Sequence, residues 1–272
     1  MLITPCENGF GAFVEVTNRW ALWSADSAIK LHNALSRFQV LVFPRVTTDL
    51  REFGRIARTL GKLIPHDFVS GLQEDNCIHE IRKNPDDVHN FGGTWHSDGA
   101  YLKRPPRTIL LQALEVPNRG GDTLWACQFA AQIALSEHLS KTLKGCTVTH
   151  AAAPVFGGYA DGCSMAIAQS SQHPLFRWVP DRREIALFHS GPCAQAIEGL
   201  TESESSSILD EIMEVASTAR TFRHSWRAGD VVAWDNRSTL HKALNDYSGQ
   251  LRRMRRAMIG CETPRFPPDS LE

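Results

Sequence analysis

The stretch AGDVVAWDNRSTLHKALNDY, residues 228–247, contains the pattern on which the fold prediction depends. Its apolar run at 230–234 predicts a buried strand, and the polar residues 235–237 that follow predict a turn. His241 comes after this strand and turn, which could fix the approach of its imidazole to a metal ion. A lone histidine is more often a core or surface residue, so His241 indicates a metal site only if partners exist elsewhere.

Such partners occur upstream in GGTWHSDGAY, residues 92–101. His96 and Asp98 are two residues apart, so on a strand both side chains project from the same face. With one more imidazole, supplied by His241, they would complete a 2-His-1-carboxylate triad that leaves coordination positions open for other ligands. The H-x-D pair is weak evidence alone, because such pairs occur by chance in many proteins.

Most of the remaining chain predicts strands with a few helices. Further strands are predicted at 39–43, 107–116, 122–126, 146–151, 184–189, 221–226 and 252–260. Helical spacing of apolar residues predicts helices at 25–38, at 129–144, at Ser203–Ala216, and from a cap at Thr47, Thr48 or Asp49 onward. The punctuated segment 64–95 and the small-residue segment 152–172 are predicted to be loops, the second a lid. We therefore expect an antiparallel β core with helices packed outside, in a single domain over residues 1–272.

The segment LRRMRRAMIG, residues 251–260, separates its four arginines by strand alternation. Arg252 and Arg256 share one face, while Arg253 and Arg255 share the other and are predicted to be surface charges. If the first face lines the barrel, two guanidinium groups point into the site. Because a buried guanidinium group needs an anion, and its planar fork suits a carboxylate, this face predicts an acid-binding site.

Composition excludes several classes of protein. Hydrophobic residues make up 42% and charged residues 22% of 272 residues, which is typical of a globular protein. The formal net charge of −1 provides no global field to attract nucleic acid or a membrane surface. The sequence contains no secretory signal and no run of roughly 20 apolar residues. Seven scattered cysteines, none in a C-x-x-C pair, indicate free thiols and a cytoplasmic location.

Four motifs together resemble one enzyme family. WHSD, PNRGGDTLWA, WDNRSTLH and the arginines that follow are similar to the taurine dioxygenase/2,4-dichlorophenoxyacetate dioxygenase family of iron(II)/2-oxoglutarate enzymes, in order and from about Phe38 to Gly260. The resemblance implies a double-stranded β-helix (jelly-roll) core and iron ligands at His96, Asp98 and His241. It also implies that dioxygen and 2-oxoglutarate are consumed and that succinate is released. In related halogenases a small residue replaces the carboxylate, so Asp98 favours hydroxylation or another oxidation, such as desaturation or cyclisation.

The same resemblance assigns roles to further residues. Arg252 matches the arginine that binds the distal carboxylate of 2-oxoglutarate, and Thr123 matches the hydroxyl donor to that carboxylate. Arg256 matches a residue that meets the substrate's sulfonate in the taurine enzyme, so we expect a small anionic substrate such as a sulfonate, a carboxylate or an amino acid. His66 lies near a substrate-contacting histidine of that enzyme, and Phe188 could form an apolar wall of the pocket. A structural role is equally open for His66 and Phe188.

Two other functions remain open. A zinc-dependent hydrolase could use two histidines and a carboxylate, but the sequence lacks H-E-x-x-H and such an enzyme would not need Thr123 and Arg252. A catalytically silent jelly-roll binding module would bind iron without consuming oxygen. The family also implies a possible homo-oligomer.

Overall fold

The apolar run predicted as a strand at 230–234 forms the centre of the largest sheet. It is a strand at Val231–Asp235 in which all five residues are buried. It pairs antiparallel with Val40–Phe43 on one side and with Pro106–Glu115 on the other. Its side chains alternate between two hydrophobic clusters, so neither face meets water.

The structure is a computed structural model that describes residues 1–17, 22, 24–46, 48–156 and 168–269. The strands, in chain order, are β1 Leu2–Pro5, β2 Ala12–Glu15, β3 Val40–Phe43, β4 Leu63–Ile64, β5 Ile78–Lys83, β6 Pro106–Glu115, β7 Thr123–Cys127, β8 Thr147–Ala151, β9 Ser170–Pro174, β10 Phe176–Val179, β11 Glu184–Leu187, β12 Ala194–Ile197, β13 Thr221–His224, β14 Val231–Asp235, β15 Thr239–Ala243 and β16 Arg252–Cys261. The α-helices are α1 Ala25–Phe38, α2 Leu50–Thr59, α3 Gln128–Ala134, α4 Glu137–Thr142, α5 Ala153–Phe156 and α6 Glu202–Thr218, and a 3-10 helix covers Gly191–Cys193.

Two sheets enclose the site-bearing core. The large sheet has the order β1-β2-β3-β14-β6-β16-β4, with β5 also paired to β16. The small sheet has the order β13-β7-β15. Side chains of both sheets meet in one cluster, where the rings of Trp125 from β7 and Trp234 from β14 are 5.6 Å apart. This arrangement is the core of the predicted double-stranded β-helix, and the mixed, mainly β fold class is confirmed.

Helices cover the outer faces of both sheets, as predicted. Helix α1 begins after the cap Ser24, and α2 begins after Asp49, whose carboxylate forms a reciprocal capping box with Glu52. The apolar faces of α1 and α2 pack on the large sheet. Helices α3, α4 and α6 pack on the outer face of the small sheet, where they bury Leu240 of β15. Because neighbours on a strand alternate, His241 then points inward, between the sheets.

Several sequence predictions were wrong in detail. The predicted helix 129–144 is two helices, because Ser136 adopts an extended conformation and caps α4. Segment 64–95 was predicted to be a loop but includes the strand β5. Because β5 is only partly buried, it contains charged residues, and these interrupt the apolar pattern by which a strand is recognised. The loop predicted at 152–172 begins with α5 and ends in β9, and its residues 157–167 lie outside the described residues. The cap candidate Thr47 also lies outside them.

Two further observations concern the helices and the cysteines. Among the described residues, none of the helices combines the length and apolar character that crossing a membrane requires. The six cysteines in the described part of the chain are free thiols, as predicted. The assignment of residues 1–272 to a single domain stays a prediction.

The packing of the two sheets yields a test of stability. Ile109 of β6 is fully buried between the sheets, whereas Ile133 of α3 is 80% exposed. Replacing Ile109 by Ala should lower the free energy of unfolding by about 2–5 kcal/mol, because it removes buried methyl groups and leaves a cavity. The same substitution at Ile133 should change that free energy by no more than about 0.5 kcal/mol. Urea unfolding of both variants measures the difference, and equal effects would contradict the assignment of the core.

Candidate metal centre

Backbone hydrogen bonds bring the two predicted histidine ligands together. The N–H of His96 donates to the carbonyl oxygen of His241 at 3.0 Å, and the N–H of His241 donates back to His96 at 2.8 Å. This single bridge extends the small sheet beyond β15 and places the two imidazole ring centroids 4.1 Å apart. The strand geometry considered for His96 and Asp98 does not apply, because pairing stops at His96 and Asp98 begins a turn. The prediction that His241 merely follows a strand was also incomplete, since it lies within β15.

Asp98 nevertheless faces both imidazole groups. One carboxylate oxygen lies 3.7 Å from Nε2 of His96, and the other lies 4.0 Å from Nε2 of His241. One ligand atom from each of the three residues falls within 4.8 Å of the others. A cation between them could therefore contact all three side chains. Two imidazole nitrogens with one carboxylate suit iron(II), and the same set also suits zinc.

The electrostatics of the group also favour a cation. Nδ1 of His96 lies 2.7 Å from the carbonyl oxygen of Thr94, so a proton on Nδ1 leaves Nε2 to act as a ligand. Burial and the adjacent His96 ring lower the pKa of His241 to about 3, which keeps its imidazole neutral. Burial opposes ionisation of Asp98, but Arg256 and the two histidines hold its pKa at about 2. Its buried oxygen Oδ2 has no hydrogen-bond partner among the described residues.

Behind the histidines, a small cavity contains the predicted acid-binding pair. Its volume is about 30 Å³, and its lining includes His96, His241, Thr123, Arg252 and Arg256. Arg252 is buried and donates from Nε to the carbonyl oxygen of Gly121 at 3.2 Å, while its Nη2 has no partner within the described part of the chain. The Thr123 hydroxyl oxygen accepts from Trp226 at 2.9 Å. The hydroxyl proton of Thr123 remains to donate to an acceptor in the cavity.

Strand alternation along β16 agrees with the prediction. Arg252 and Arg256 are buried, while Arg253 and Arg255 are partly exposed. Arg253 pairs with Glu80, and Arg255 donates to Gln112. Arg256 donates to Asp98 Oδ1 at 3.2 Å and lines the small cavity rather than the larger one.

On the outer side of His96 and Asp98 lies a larger cavity of about 510 Å³. His66 lines it and accepts through Nδ1 from the N–H of Phe68. Phe156 also lines it and has ring contacts with His66 at 5.5 Å and with Tyr101 at 5.6 Å. Phe188, predicted as a possible wall, is buried behind this surface against His150 and does not line the cavity that the described residues enclose.

Sequence reasoning missed two residues that touch the ligand segment. Residues 235–237 were interpreted as guiding His241, but the side chain of Asn236 instead bonds the backbone of Asp98. The hydroxyl group of Ser190 bonds the backbone of Ser97. For Asn236, the sequence offered one signal, an amide side chain in the predicted turn shortly before His241. Ser190 is distant in sequence from both motifs and gave none.

Comparisons with known proteins agree with this geometry. The family model described as taurine catabolism dioxygenase TauD, TfdA family matches residues 3–258. An alpha-ketoglutarate-dependent 2,4-dichlorophenoxyacetate dioxygenase of Burkholderia sp. (strain RASC) is 34% identical over 271 residues, which cover 90% of each chain. An alpha-ketoglutarate-dependent sulfate ester dioxygenase of Pseudomonas putida is 27% identical, over 85% of this chain and 80% of that protein.

Two further matches differ in how much of the other protein they cover. This chain spans 66% of the length of a Schizosaccharomyces pombe relative that is 31% identical over 256 residues. The crystal structure of a taurine dioxygenase from Burkholderia xenovorans superposes with a TM-score of 0.82 at 25% identity, covering 98% of this chain and 93% of that one.

The arrangement of His96, Asp98 and His241 makes a prediction about metal binding. Asp98→Ala and His241→Ala should each abolish saturable binding of Mn(II), a stable probe that accepts imidazole and carboxylate ligands, because each removes one of three ligands. The exposed histidine His138, replaced by Ala, is the control and should leave the affinity unchanged. Electron paramagnetic resonance titration measures bound and free Mn(II). Wild-type affinity in both ligand variants, with the fold intact by circular dichroism, would show that the metal lies elsewhere.

Proposed function

The chain belongs to the taurine catabolism dioxygenase TauD, TfdA family, and we propose that His96, Asp98 and His241 bind its iron(II). The protein is an Fe(II)/2-oxoglutarate-dependent dioxygenase, with iron(II), 2-oxoglutarate and dioxygen as its cofactor and co-substrates. The observation that carries the assignment is the buried Asp98 carboxylate, which faces two imidazole groups with one oxygen unpaired in the described residues. Three protein ligands would leave coordination positions on the iron(II) for a bidentate co-substrate and for dioxygen.

Bound iron(II) supplies the activation of dioxygen, coupled to decarboxylation of 2-oxoglutarate to succinate and CO₂ and to oxidation of a C–H bond of the substrate. The chain's own residues contribute orientation, charge and exclusion of water. Hydroxylation, desaturation and cyclisation all begin at the same C–H bond.

Arg252 and Thr123 are proposed to hold the distal carboxylate of 2-oxoglutarate. The unpaired Nη2 of Arg252 and the remaining hydroxyl proton of Thr123 both border the small cavity that His96 and His241 also line. A carboxylate there would pair with a buried guanidinium group that forms no ion pair with any described residue. It would also fix the other end of the molecule toward the metal.

The primary substrate is proposed to enter the larger cavity as an organic acid, such as a sulfonate, a carboxylate, an amino acid or a sulfate ester. Two relatives are named for acidic substrates, a phenoxyacetate and a sulfate ester. His66, which lines this cavity, would face the acidic group. Arg256 borders the small cavity beside Asp98, and its charge would attract the acidic group from there. The rings of Phe91, Tyr101 and Phe156 provide an apolar wall for the rest of the molecule.

A substrate screen tests this proposal directly. Succinate formation should rise on addition of organic acids of these classes and stay at its background rate with the corresponding uncharged alcohols. Stimulation by alcohols alone would contradict the anionic class. Oxygen consumption in the same assay distinguishes an oxygenase from a silent binding module, and release of succinate distinguishes it from a zinc hydrolase.

A cytoplasmic location is part of the proposal, supported by the free thiols of the described cysteines. A small molecule is the expected partner. The predictions that the protein binds neither nucleic acid nor membranes, and that it forms a homo-oligomer, stay predictions.

The acid-binding pair predicts a selective kinetic defect. Arg252→Ala should raise the KM for 2-oxoglutarate by roughly 10- to 100-fold, because a charged hydrogen bond contributes roughly 1.5–3 kcal/mol. Arg253→Ala is the matched control, since Arg253 lies next to it on the outward face and pairs with Glu80. Initial rates of succinate formation at varied 2-oxoglutarate concentration give both values. Equal KM values in the two variants would refute the assignment of Arg252.

The family resemblance that assigns Arg256 to the acidic group of the primary substrate predicts a defect for that substrate. Arg256→Gln should weaken binding of the primary substrate by about tenfold or more, a change of about 1.4 kcal/mol, and should affect 2-oxoglutarate much less. Arg255→Gln, on the outward face of the same strand, is the control. Separate anaerobic titrations at saturating Fe(II) measure each affinity. A variant that loses affinity only for 2-oxoglutarate would make Arg256 part of the 2-oxoglutarate site instead.

A further inference from the structure

Three consecutive residues, His96, Ser97 and Asp98, satisfy their backbone groups with three different kinds of partner. His96 exchanges both of its bonds with the backbone of His241. The hydroxyl group of Ser190 accepts from the N–H of Ser97 at 3.0 Å and donates to its carbonyl oxygen at 3.0 Å. Only the first of these pairings belongs to a sheet, so the two residues beyond it depend on side chains.

The side-chain amide of Asn236 bonds Asp98 in the same two-way manner. Its Oδ1 accepts from the N–H of Asp98 at 2.9 Å, and its Nδ2 donates to the carbonyl oxygen of Asp98 at 2.9 Å. The same Nδ2 donates to the carbonyl oxygen of Pro106, also at 2.9 Å. Asn236 is 1% exposed, so these bonds do not compete with bulk water.

The turn that carries Asn236 is itself fixed. Its neighbours Asp235 and Arg237 form a buried ion pair at 2.8 Å, and Arg237 also reaches Asp181 and Glu262. The backbone N–H of Asn236 donates to the carbonyl oxygen of Arg107. The amide therefore reaches Asp98 from a rigid support that belongs to the large sheet.

The position of Ser190 is also fixed by its surroundings. It is fully buried and immediately precedes the 3-10 helix Gly191–Cys193. A Cβ atom on Gly191 would lie 2.0 Å from the carbonyl oxygen of Trp95, so only glycine allows this segment to approach the ligand segment. The hydroxyl group of Ser190 thus forms the two hydrogen bonds with the Ser97 backbone that a neighbouring strand would form in a sheet.

We propose that Asn236 and Ser190 are positioning residues that set the place of the Asp98 carboxylate, and through it the affinity for the metal; this rests on the proposed metal site. The carboxylate has few restraints of its own, because Oδ1 bonds only Arg256 and Oδ2 has no hydrogen-bond partner among the described residues. Its placement relative to His96 and His241 therefore follows from its backbone. Groups that orient a ligand in this way commonly alter metal affinity by roughly 10–100-fold when they are replaced.

The test replaces each positioning residue and compares the change at Asn236 with the same amide-to-carboxyl change at Gln128. Asn236→Asp replaces the donor toward Asp98 and Pro106 by an acceptor, and Ser190→Ala removes the hydroxyl group from Ser97. Gln128→Glu is the matched control, because the buried Gln128 also donates from one amide nitrogen to two backbone carbonyl oxygens, at 3.2 and 3.3 Å, outside the site. Each protein is titrated with Mn(II) by electron paramagnetic resonance, and its Tm is measured with and without the metal.

The expected result is a dissociation constant for Mn(II) raised roughly 10–100-fold in Asn236→Asp and at least about threefold in Ser190→Ala. Gln128→Glu should stay within about twofold of wild type. Weaker binding also reduces the rise in Tm that Mn(II) causes, whereas a purely structural defect lowers the metal-free Tm and leaves that rise unchanged.

Wild-type affinity in every variant that folds, or an equal loss in Gln128→Glu, would overturn the proposal. Ser190→Ala, which removes only one oxygen atom, decides the matter if Asn236→Asp does not fold. A wild-type protein without saturable Mn(II) binding would instead overturn the metal site itself.

Discussion

The buried negative charge of Asp98 is the constraint on which the rest of the site depends. A carboxylate removed from water must be compensated, and burial alone would favour its neutral form. One oxygen accepts from the Arg256 guanidinium group, and the other faces the His241 imidazole, which burial keeps uncharged. The unpaired carboxylate oxygen and the neutral imidazole offer lone pairs to a cation, so the folded chain is electrostatically prepared for the metal before it binds.

The two cavities lie beside the same candidate metal ligands and suit different proposed ligands. His96 lines both of them. The inner cavity is small, and its lining includes Arg252. A buried arginine suits the proposed co-substrate, 2-oxoglutarate, because its guanidinium group can pair with a carboxylate. The outer cavity is wide and is bounded by aromatic rings from connecting segments, including Phe91 and Phe156. If the proposed roles hold, strands would position the co-substrate, and loops would largely set the choice of primary substrate.

Much of the fold could be predicted from the sequence because its central strands carry uninterrupted or alternating apolar patterns. Strand β14 is buried on both faces, and in β16 the alternation of Arg252 and Arg256 with outward-facing residues correctly separates inner from outer charges. Strand β5 escaped prediction because the charged residues Glu80 and Arg82, which are not buried, interrupt its apolar pattern. The contacts of Asn236 and Ser190 with the ligand segment could not be predicted, since they depend on how distant turns meet in space rather than on a local period.

The alternation along β16 has a consequence for how such a chain can diverge. Residues of β16 pair with β6 on one side and, from Arg252 to Ala257, with β5 on the other, so the register of this part of the strand is set from both sides. Insertion or deletion of a single residue between Arg252 and Arg256 would turn one of these two arginines to the outward face. Changes of length are tolerated more readily in connecting segments, some of which border the outer cavity. Loop length can therefore reshape the outer cavity while the inward arginines keep their register.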